Sequence, residues 1–240
     1  MRIAAADDDA ARLVEAGRAV GAAVEGTRSQ TLHRGLALLE LVAETPLSLP
    51  DVVRLSGLHR SVVYRLLRTL EDHRLVERGA DDHYRGGLGL VGLARNLTQD
   101  LGTAAVAELT ALADDLGMTA FVVVRDGDEA LTLFTVAPST VAAHVTYRPG
   151  SRHPVVRGAP GLALLAGAPA EAGERAEVAL ARAQGWVATQ GEVISGLSAV
   201  AAPVQGLHPR GAAVCVVFAG EADVEQVGRR VERAAATMGS

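Results

Sequence analysis

Five side chains between residues 60 and 68 are spaced so that an α-helix would place them on one face. They are Arg60, Ser61, Tyr64, Arg65 and Arg68. The apolar residues of the stretch fall on the opposite face; they are Leu58, Val62, Val63, Leu66, Leu67 and Leu70. Arginine bonds guanine edges at two points or holds phosphates, and hydroxyl groups bond phosphate oxygens. The pattern predicts an amphipathic helix whose polar face contacts DNA.

The segments around this helix indicate a winged helix-turn-helix. Apolar spacing predicts a helix that begins at Thr31 and a second one over 49–56. Gly57 supplies a tight turn before the third helix, 60–73, and two short antiparallel strands with a polar turn follow over 75–85. This order of elements is typical of winged DNA-binding domains, whose last helix enters the major groove.

The helix entrance and the hairpin add further candidate DNA contacts. His59 lies at the entrance of the third helix, where recognition helices make contacts. Arg78 and Arg85 flank a hairpin tip that contains Asp81 and Asp82. Because an acidic tip repels phosphate, we expect the two arginines and not the tip to contact DNA. A purely structural wing is the alternative.

Composition limits the class of protein. The chain has 240 residues, of which 49% are hydrophobic and 21% charged, and this balance excludes disorder throughout. The net charge is −5, but residues 27–98 hold ten arginines against eight acids, so a polyanion is expected to bind there. No apolar run reaches about 18 residues. We therefore expect a cytoplasmic protein with no membrane partner.

After residue 102 the pattern changes to strands mixed with helices. Strands are predicted over 120–124, 131–134, 141–147, 186–189, 197–204 and 212–218. Helices are predicted over 103–116, 161–166, 170–184 and 221–238. Hairpin-connected strands with flanking helices are typical of an α+β domain with a mainly antiparallel sheet.

Several stretches resemble the IclR family of bacterial transcription regulators. In the first half they are 29–36, the helix pair at 49–72 and the hairpin with the residues after it, 75–90. In the second half they are 184–188, 191–192, 196–204 and the late strand at 212–217. The resemblance covers about residues 28–238.

The resemblance implies an α/β (α+β) fold with an N-terminal winged helix-turn-helix and a C-terminal GAF-like effector-binding domain. The predicted segments are an arm that is a candidate for disorder (1–27), the winged domain (28–87), a linker helix (88–102) and the GAF-like domain (103–240). It further implies a homodimer, or a dimer of dimers, on a roughly palindromic double-stranded DNA operator. The implied effector is a small organic acid or aromatic metabolite.

With the resemblance, two sets of site residues are expected. The DNA-binding candidates are Gln30, Arg34, His59, Arg60, Ser61, Tyr64, Arg65, Arg68, Arg78 and Arg85. The effector-binding candidates, carried over by position, are Arg157, Gly158, Ala159, Gly161, Thr189, Glu192, Ala199, Cys215 and Val217. The chain departs from the family at this pocket. Leu162 follows Gly161 where lysine is usual, Thr189 stands where an acid is frequent, and Ala199 stands where cysteine is frequent.

Two other functions stay open. The departures at the pocket allow a ligand-independent regulator with a degenerate pocket, and the second half could instead be a GAF-like enzyme or sensor. An enzyme would need a catalytic motif, and the sequence has no nucleophile-elbow serine, H-E-x-x-H or P-loop. Residues 87–92 match G-x-G-x-x-G, but a charged hairpin precedes them where a dinucleotide site needs a buried parallel strand. We expect a protein that is not an enzyme and has no cofactor and no metal.

Overall fold

The computed structural model describes residues 20, 29–99, 103–139, 141, 145 and 147–239. The chain divides into two compact units, with the boundary between Leu97 and Thr98. The elements of the first unit are α1 (Gln30–Glu44), β1 (Leu47–Ser48), α2 (Leu49–Ser56), α3 (Arg60–Asp72), β2 (Val76–Arg78) and β3 (His83–Gly86). Helix α4 (Gly89–Gln99) follows them and contains the boundary.

Helices α2 and α3 form the helix-turn-helix. Ser48 caps α2, because its hydroxyl accepts a hydrogen bond from the Asp51 N–H at 3.4 Å. The helix ends at Gly57, whose φ of +64° lies in the left-handed region that favours glycine. The three helices share one hydrophobic cluster, in which the fully buried side chains include Leu38, Leu41, Val63 and Leu67. Val20, described by itself within segment 1–27, is buried in the same cluster.

The wing is a three-stranded antiparallel sheet in the order β1-β3-β2. Tyr84 of β3 lies opposite Leu47 of β1 and Arg78 of β2. Its ring is buried in the helical cluster, and this burial raises the pKa of its phenol. The hairpin is thereby fixed to the body of the first unit.

The second unit is built on a six-stranded sheet. Its strands are β4 (Thr119–Asp126), β5 (Glu129–Val136), β6 (Arg152–Pro154), β7 (Val187–Gln190), β8 (Leu197–Val204) and β9 (Ala212–Ala219). They are arranged in the order β6-β5-β4-β9-β8-β7, and all neighbours are antiparallel. The helices are α5 (Thr103–Leu116), α6 (Gly158–Ala166), α7 (Ala176–Gln184) and α8 (Val224–Met238).

Both faces of this sheet are covered. Helices α5 and α8 pack on one face, and α6 and α7 pack on the other. The central strand β9 shows the consequence, because successive side chains of its 212–218 stretch enter the two clusters alternately and all are buried. A strand covered on both faces reads as a continuous apolar run.

The predicted fold class is confirmed, although some element bounds differ. Helix α6 begins at Gly158 and not at 161, and α7 begins at Ala176 and not at 170. Strands β1 and β6 were not expected from the sequence. The strand predicted for 141–147 falls largely outside the described residues. In the described ranges, the structure contains no helix with the length and apolar character that a membrane span requires.

Candidate nucleic-acid interface and effector pocket

Helix α3 separates an apolar face from a polar one. Val63 and Leu67 are fully buried, and Leu70 is nearly so. The five polar-face residues predicted from the sequence are all exposed; they are Arg60, Ser61, Tyr64, Arg65 and Arg68. Tyr64 leaves 47% of its surface exposed, which is a large area for an aromatic side chain.

The charges at the N-terminus of α3 favour binding of an anion. His59 caps the helix, because its Nδ1 accepts a hydrogen bond from the Ser61 N–H at 3.4 Å and lies 2.8 Å from the Ser61 hydroxyl oxygen. The first turn contains no acid and begins with Arg60. The helix dipole and this guanidinium therefore both favour a phosphate here.

The arginines of α3 differ in their partners. Within the described ranges, neither Arg60 nor Arg65 pairs with a carboxylate. Arg68 lies 3.5 Å from Glu71, with 58% of the arginine side chain exposed. Arg60 and Arg65 are consequently the cations of this helix that are open to an external anion.

The wing arginines are held by the acidic tip. Arg85 donates a hydrogen bond to Asp81 Oδ1 at 2.8 Å, and Arg78 lies 3.1 Å from Asp82 Oδ1. Arg78 also stacks over the Tyr84 ring, 5.7 Å from its centroid. The two acids thus offset the charge of the two arginines that were expected to contact DNA.

The remaining DNA-binding candidates lie at the start of α1. Gln30 is exposed at the first residue of the helix, and Arg34 is half-buried one turn later. Within the part of the chain that the structure describes, Arg34 forms no ion pair. Both residues belong to the same unit as α3.

A small cavity lies on the α6 side of the second unit's sheet. Its lining is Phe121, Tyr147, Pro160, Thr189, Glu192, Val193, Ile194, Leu197, Ser198, Ala199 and Val217. Its volume is about 30 Å³, room for about two water molecules and not for an aromatic acid. The floor is the sheet, where the register places Thr189, Ala199 and Val217 side by side on β7, β8 and β9.

Aromatic rings form one wall of the cavity. The Tyr147 ring stacks on the Phe121 ring with their centroids 4.4 Å apart. Val193 and Ile194, from the loop between β7 and β8, also line the cavity. The wall is therefore apolar, as is usual for small-molecule sites.

The polar rim is built around the N-terminus of α6. The Gly158 N–H donates to Glu192 Oε2 at 2.8 Å, and the Ala159 N–H donates to Thr189 Oγ1 at 2.8 Å. Arg175 donates from Nη1 and Nη2 to the two carboxylate oxygens of Glu192, both at 2.9 Å. This guanidinium is the main reason that the pKa of Glu192 lies below its usual range.

Most of the predicted effector residues meet at this cavity. Thr189, Glu192, Ala199 and Val217 line it. Gly158 and Ala159 contribute their N–H groups to the rim. Arg157 donates from Nη2 to the backbone oxygen of Glu192 at 2.5 Å.

Gly161 and Cys215 do not line this cavity. A Cβ on Gly161 would lie 2.2 Å from the Val155 oxygen, so glycine permits a close backbone approach there. Cys215 is fully buried in the cluster between the sheet and α6, and burial raises the pKa of its thiol. A thiol in such surroundings behaves as a small apolar side chain.

Comparison with known proteins places the chain in a family. The family model of the IclR helix-turn-helix domain matches residues 31–80. The protein described as "Probable transcriptional regulator SauR" of Cupriavidus necator is 30% identical over 212 residues, which span 77% of this chain and 83% of that protein.

The chain belongs to the IclR family of transcriptional regulators. The HTH-type transcriptional regulator XynR of Escherichia coli is 31% identical over 142 residues, or 57% of this chain and 56% of XynR. The relatives are regulators and not enzymes, which confirms the expectation for this IclR-family chain.

Solved structures confirm the fold of this IclR-family chain. One is an IclR homolog from Microbacterium hydrocarbonoxydans in complex with 4-hydroxybenzoate, with a TM-score of 0.72, 23% identity, and coverage of 87% of this chain and 97% of that one. Another is an IclR transcriptional regulator from Alicyclobacillus acidocaldarius, with a TM-score of 0.71, 21% identity, and coverage of 88% and 98%.

Sequence reasoning missed several residues at the candidate effector pocket of this IclR-family chain. Arg175 was not expected there, because no motif surrounds it and its partner Glu192 is 17 positions away. The aromatic pair was also missed, although Phe121 alternates with residues of the other face along an apolar strand. Alternation along a strand places Phe121 and Val123 on the same face, but a continuous apolar run does not show which face borders the pocket.

Proposed function

We propose that this IclR-family regulator binds a roughly palindromic operator as a dimer or a dimer of dimers, with α3 in the major groove. The observation that carries the proposal is the exposed face of α3, where Arg60 and Arg65 lack carboxylate partners in the described chain. Partner-free guanidinium groups on a helix that follows a short helix and a tight turn suit guanine edges and phosphates.

The other DNA-binding candidates have supporting roles in the proposal. The N-terminus of α3, where His59 contacts Ser61, binds a DNA phosphate. Arg78 and Arg85 contact the DNA backbone or the minor groove once phosphate replaces their acidic partners. Gln30 and Arg34 add backbone contacts from the start of α1.

The proposal includes a small effector with a carboxylate or an aromatic ring. Support comes from the stacked rings of Phe121 and Tyr147 in the cavity wall and from Arg157 and Arg175 at its rim. A relative of the same fold has been solved with 4-hydroxybenzoate, which carries both groups. An effector changes operator affinity only if it binds two arrangements of the protein unequally.

A ligand-independent regulator is the second candidate. The cavity volume of about 30 Å³ favours this second candidate. Pockets that hold drug-sized ligands have volumes of roughly 300–1,000 Å³. A thermal-shift screen with carboxylates separates the two candidates. A ligand selective for the native state raises the melting temperature, and a protein with a degenerate pocket shows no such rise.

The DNA-binding function is tested by fluorescence anisotropy with the duplex upstream of the gene and a scrambled duplex of equal length. We expect binding to the upstream duplex that is about 10³-fold or more tighter at physiological salt. The logarithm of the affinity should fall linearly with the logarithm of the salt concentration. Equal affinity for both duplexes would contradict specific recognition.

A further inference from the structure

The Glu192 carboxylate occupies the positive groups beside the cavity. Its Oε2 accepts from the Gly158 N–H at 2.8 Å, at the first residue of α6. Both of its oxygens accept from Arg175, each at 2.9 Å. Helix N-termini and two-point arginine contacts are the groups that bind a ligand carboxylate. A side chain of the protein itself therefore sits where the carboxylate of an effector would bind.

Glu192 belongs to a loop that forms part of the cavity wall. Loop 191–196 joins β7 to β8, and Gly191 and Gly196 at its two ends have φ values of +69° and +79°. Val193 and Ile194 of the loop line the cavity. A Cβ on Gly158 would lie 2.5 Å from Val193 Cγ2, so the absence of a side chain at position 158 lets the loop approach α6.

Contacts of Glu192 hold the loop against the N-terminus of α6. Arg157 donates to its backbone oxygen, and Arg175 with Gly158 binds its carboxylate. Because Arg175 keeps the pKa of Glu192 low, the carboxylate is ionised at neutral pH and the contact is at full strength. The apolar side chains of the loop remain partly exposed, at 39% for Val193 and 38% for Ile194.

We propose that Glu192 is an internal carboxylate that latches loop 191–196 over the cavity, and that a carboxylate effector binds by displacing it from Gly158 and Arg175. This inference rests on the proposed effector function. The cavity volume of about 30 Å³ leaves no room for an aromatic acid while the loop is closed. Opening the loop is then part of binding, and the apparent affinity is reduced by the fraction of molecules that are open.

The latch is tested first without any ligand, by hydrogen exchange of the full chain. In Glu192→Gln the Gly158 N–H and the amides of loop 191–196 should exchange about tenfold faster or more, because a charge-assisted bond is lost. Arg175→Lys should shift the same amides in the same direction by a smaller factor, since lysine lacks the two-point geometry. Glu221→Gln, the same chemical change at an exposed residue before α8, should leave them unchanged. Wild-type exchange in both latch variants would overturn the proposal.

The second arm uses 4-hydroxybenzoate as the probe, titrated by calorimetry. Removal of the internal competitor should tighten its binding to Glu192→Gln about tenfold relative to wild type. Binding to Glu192→Gln that is no tighter than to wild type would overturn the displacement mechanism. Operator binding by each variant is measured in parallel. If the loop amides of the variants exchange as in wild type and the variants still bind the operator, the latch proposal is wrong and the proposed DNA-binding function is unaffected.

Discussion

Two arginines of α3 and four arginines of the second unit have opposite surroundings. On α3, Arg60 and Arg65 are exposed and have no carboxylate partner within the described ranges. In the second unit, each of four arginines bonds to a carboxylate; these are Arg152, Arg175, Arg182 and Arg230. All 23 basic residues of the chain are arginine. Arginine therefore occurs in two settings, which differ in whether a carboxylate of the protein pairs with the guanidinium group.

The paired arginines of the second unit connect distant parts of the chain. Arg230 of α8 bonds to Glu108 of α5 at 2.7 Å, and only 15% of its side chain is exposed. Arg152 of β6 bonds to Asp126 and Glu129, at the ends of β4 and β5. A partly buried pair such as Arg230–Glu108 fixes geometry, whereas a partner-free arginine keeps its charge for an external polyanion.

The largest expected effect separates the two faces of α3. Leu67→Ala should lower the free energy of unfolding of the first unit by about 2–5 kcal/mol, because it leaves a cavity at a fully buried position. Urea denaturation, monitored by hydrogen exchange of the α1 and α3 amides, measures the change in the free energy of unfolding. Arg65→Ala, on the polar face, is the control and should change stability by less than about 0.5 kcal/mol. Equal effects of the two substitutions would show that the faces are not distinct.

The next effect concerns the partner-free arginines. Arg65→Ala should weaken specific operator binding by about 1–3 kcal/mol if the side chain reads a base. If it holds only a phosphate, binding to all duplexes should weaken alike and the salt slope should fall by about one. Arg229→Ala, which removes an exposed arginine paired with Glu225, is the matched control and should leave binding unchanged. Unaltered affinity in Arg65→Ala would refute the assignment of the α3 face.

The helix-turn-helix could be predicted closely because its signals are local. The start of α2 follows from Pro50 in its first turn, and its end follows from Gly57, which adopts the left-handed conformation. The faces of α3 follow from side chains within one helix. In contrast, β1 consists of two residues, and it exists because Leu47 and Ser48 pair with Tyr84 and His83 more than 30 positions away.

The candidate effector pocket could be predicted only in part because its contacts are non-local. Helix α6 begins at Gly158 although Arg157 provides no side-chain cap. Thr189 and Glu192, some 30 positions away, accept from its first N–H groups instead. No local sequence pattern predicts such a cap, so the sequence indicated a later start for α6. The family resemblance nevertheless placed Thr189 and Glu192 at the pocket, because it assigns residues by their position in the family and needs no local sequence pattern.

A smaller effect is expected at the wing, which combines both kinds of arginine surroundings. The double variant Asp81→Asn, Asp82→Asn removes the acids that hold Arg85 and Arg78. Asparagine tolerates the positive φ of 62° at position 82, so the tip should keep its shape. DNA affinity should rise about 2–5-fold, and the salt slope should steepen by about one to two. Asp128→Asn, at a turn of the second unit, is the control. Unchanged affinity and slope would mean that the wing stays away from DNA.

The smallest effect tests the structural role of a paired arginine at acid pH. Hydrogen bonding to Arg152 lowers the pKa of Asp126 from its ordinary value of 3.8. A carboxyl group whose pKa is lower in the folded state stabilises the protein above its unfolded value, and this stabilisation is lost as the pH falls through the lower folded value. Below about pH 4 the melting temperature of wild type should therefore fall more steeply than that of Asp126→Asn, which has already lost the interaction at neutral pH. Scanning calorimetry measures both slopes, and Asp128→Asn should follow wild type. Parallel slopes for wild type and Asp126→Asn would show that the Asp126–Arg152 pair contributes nothing to the stability of the fold.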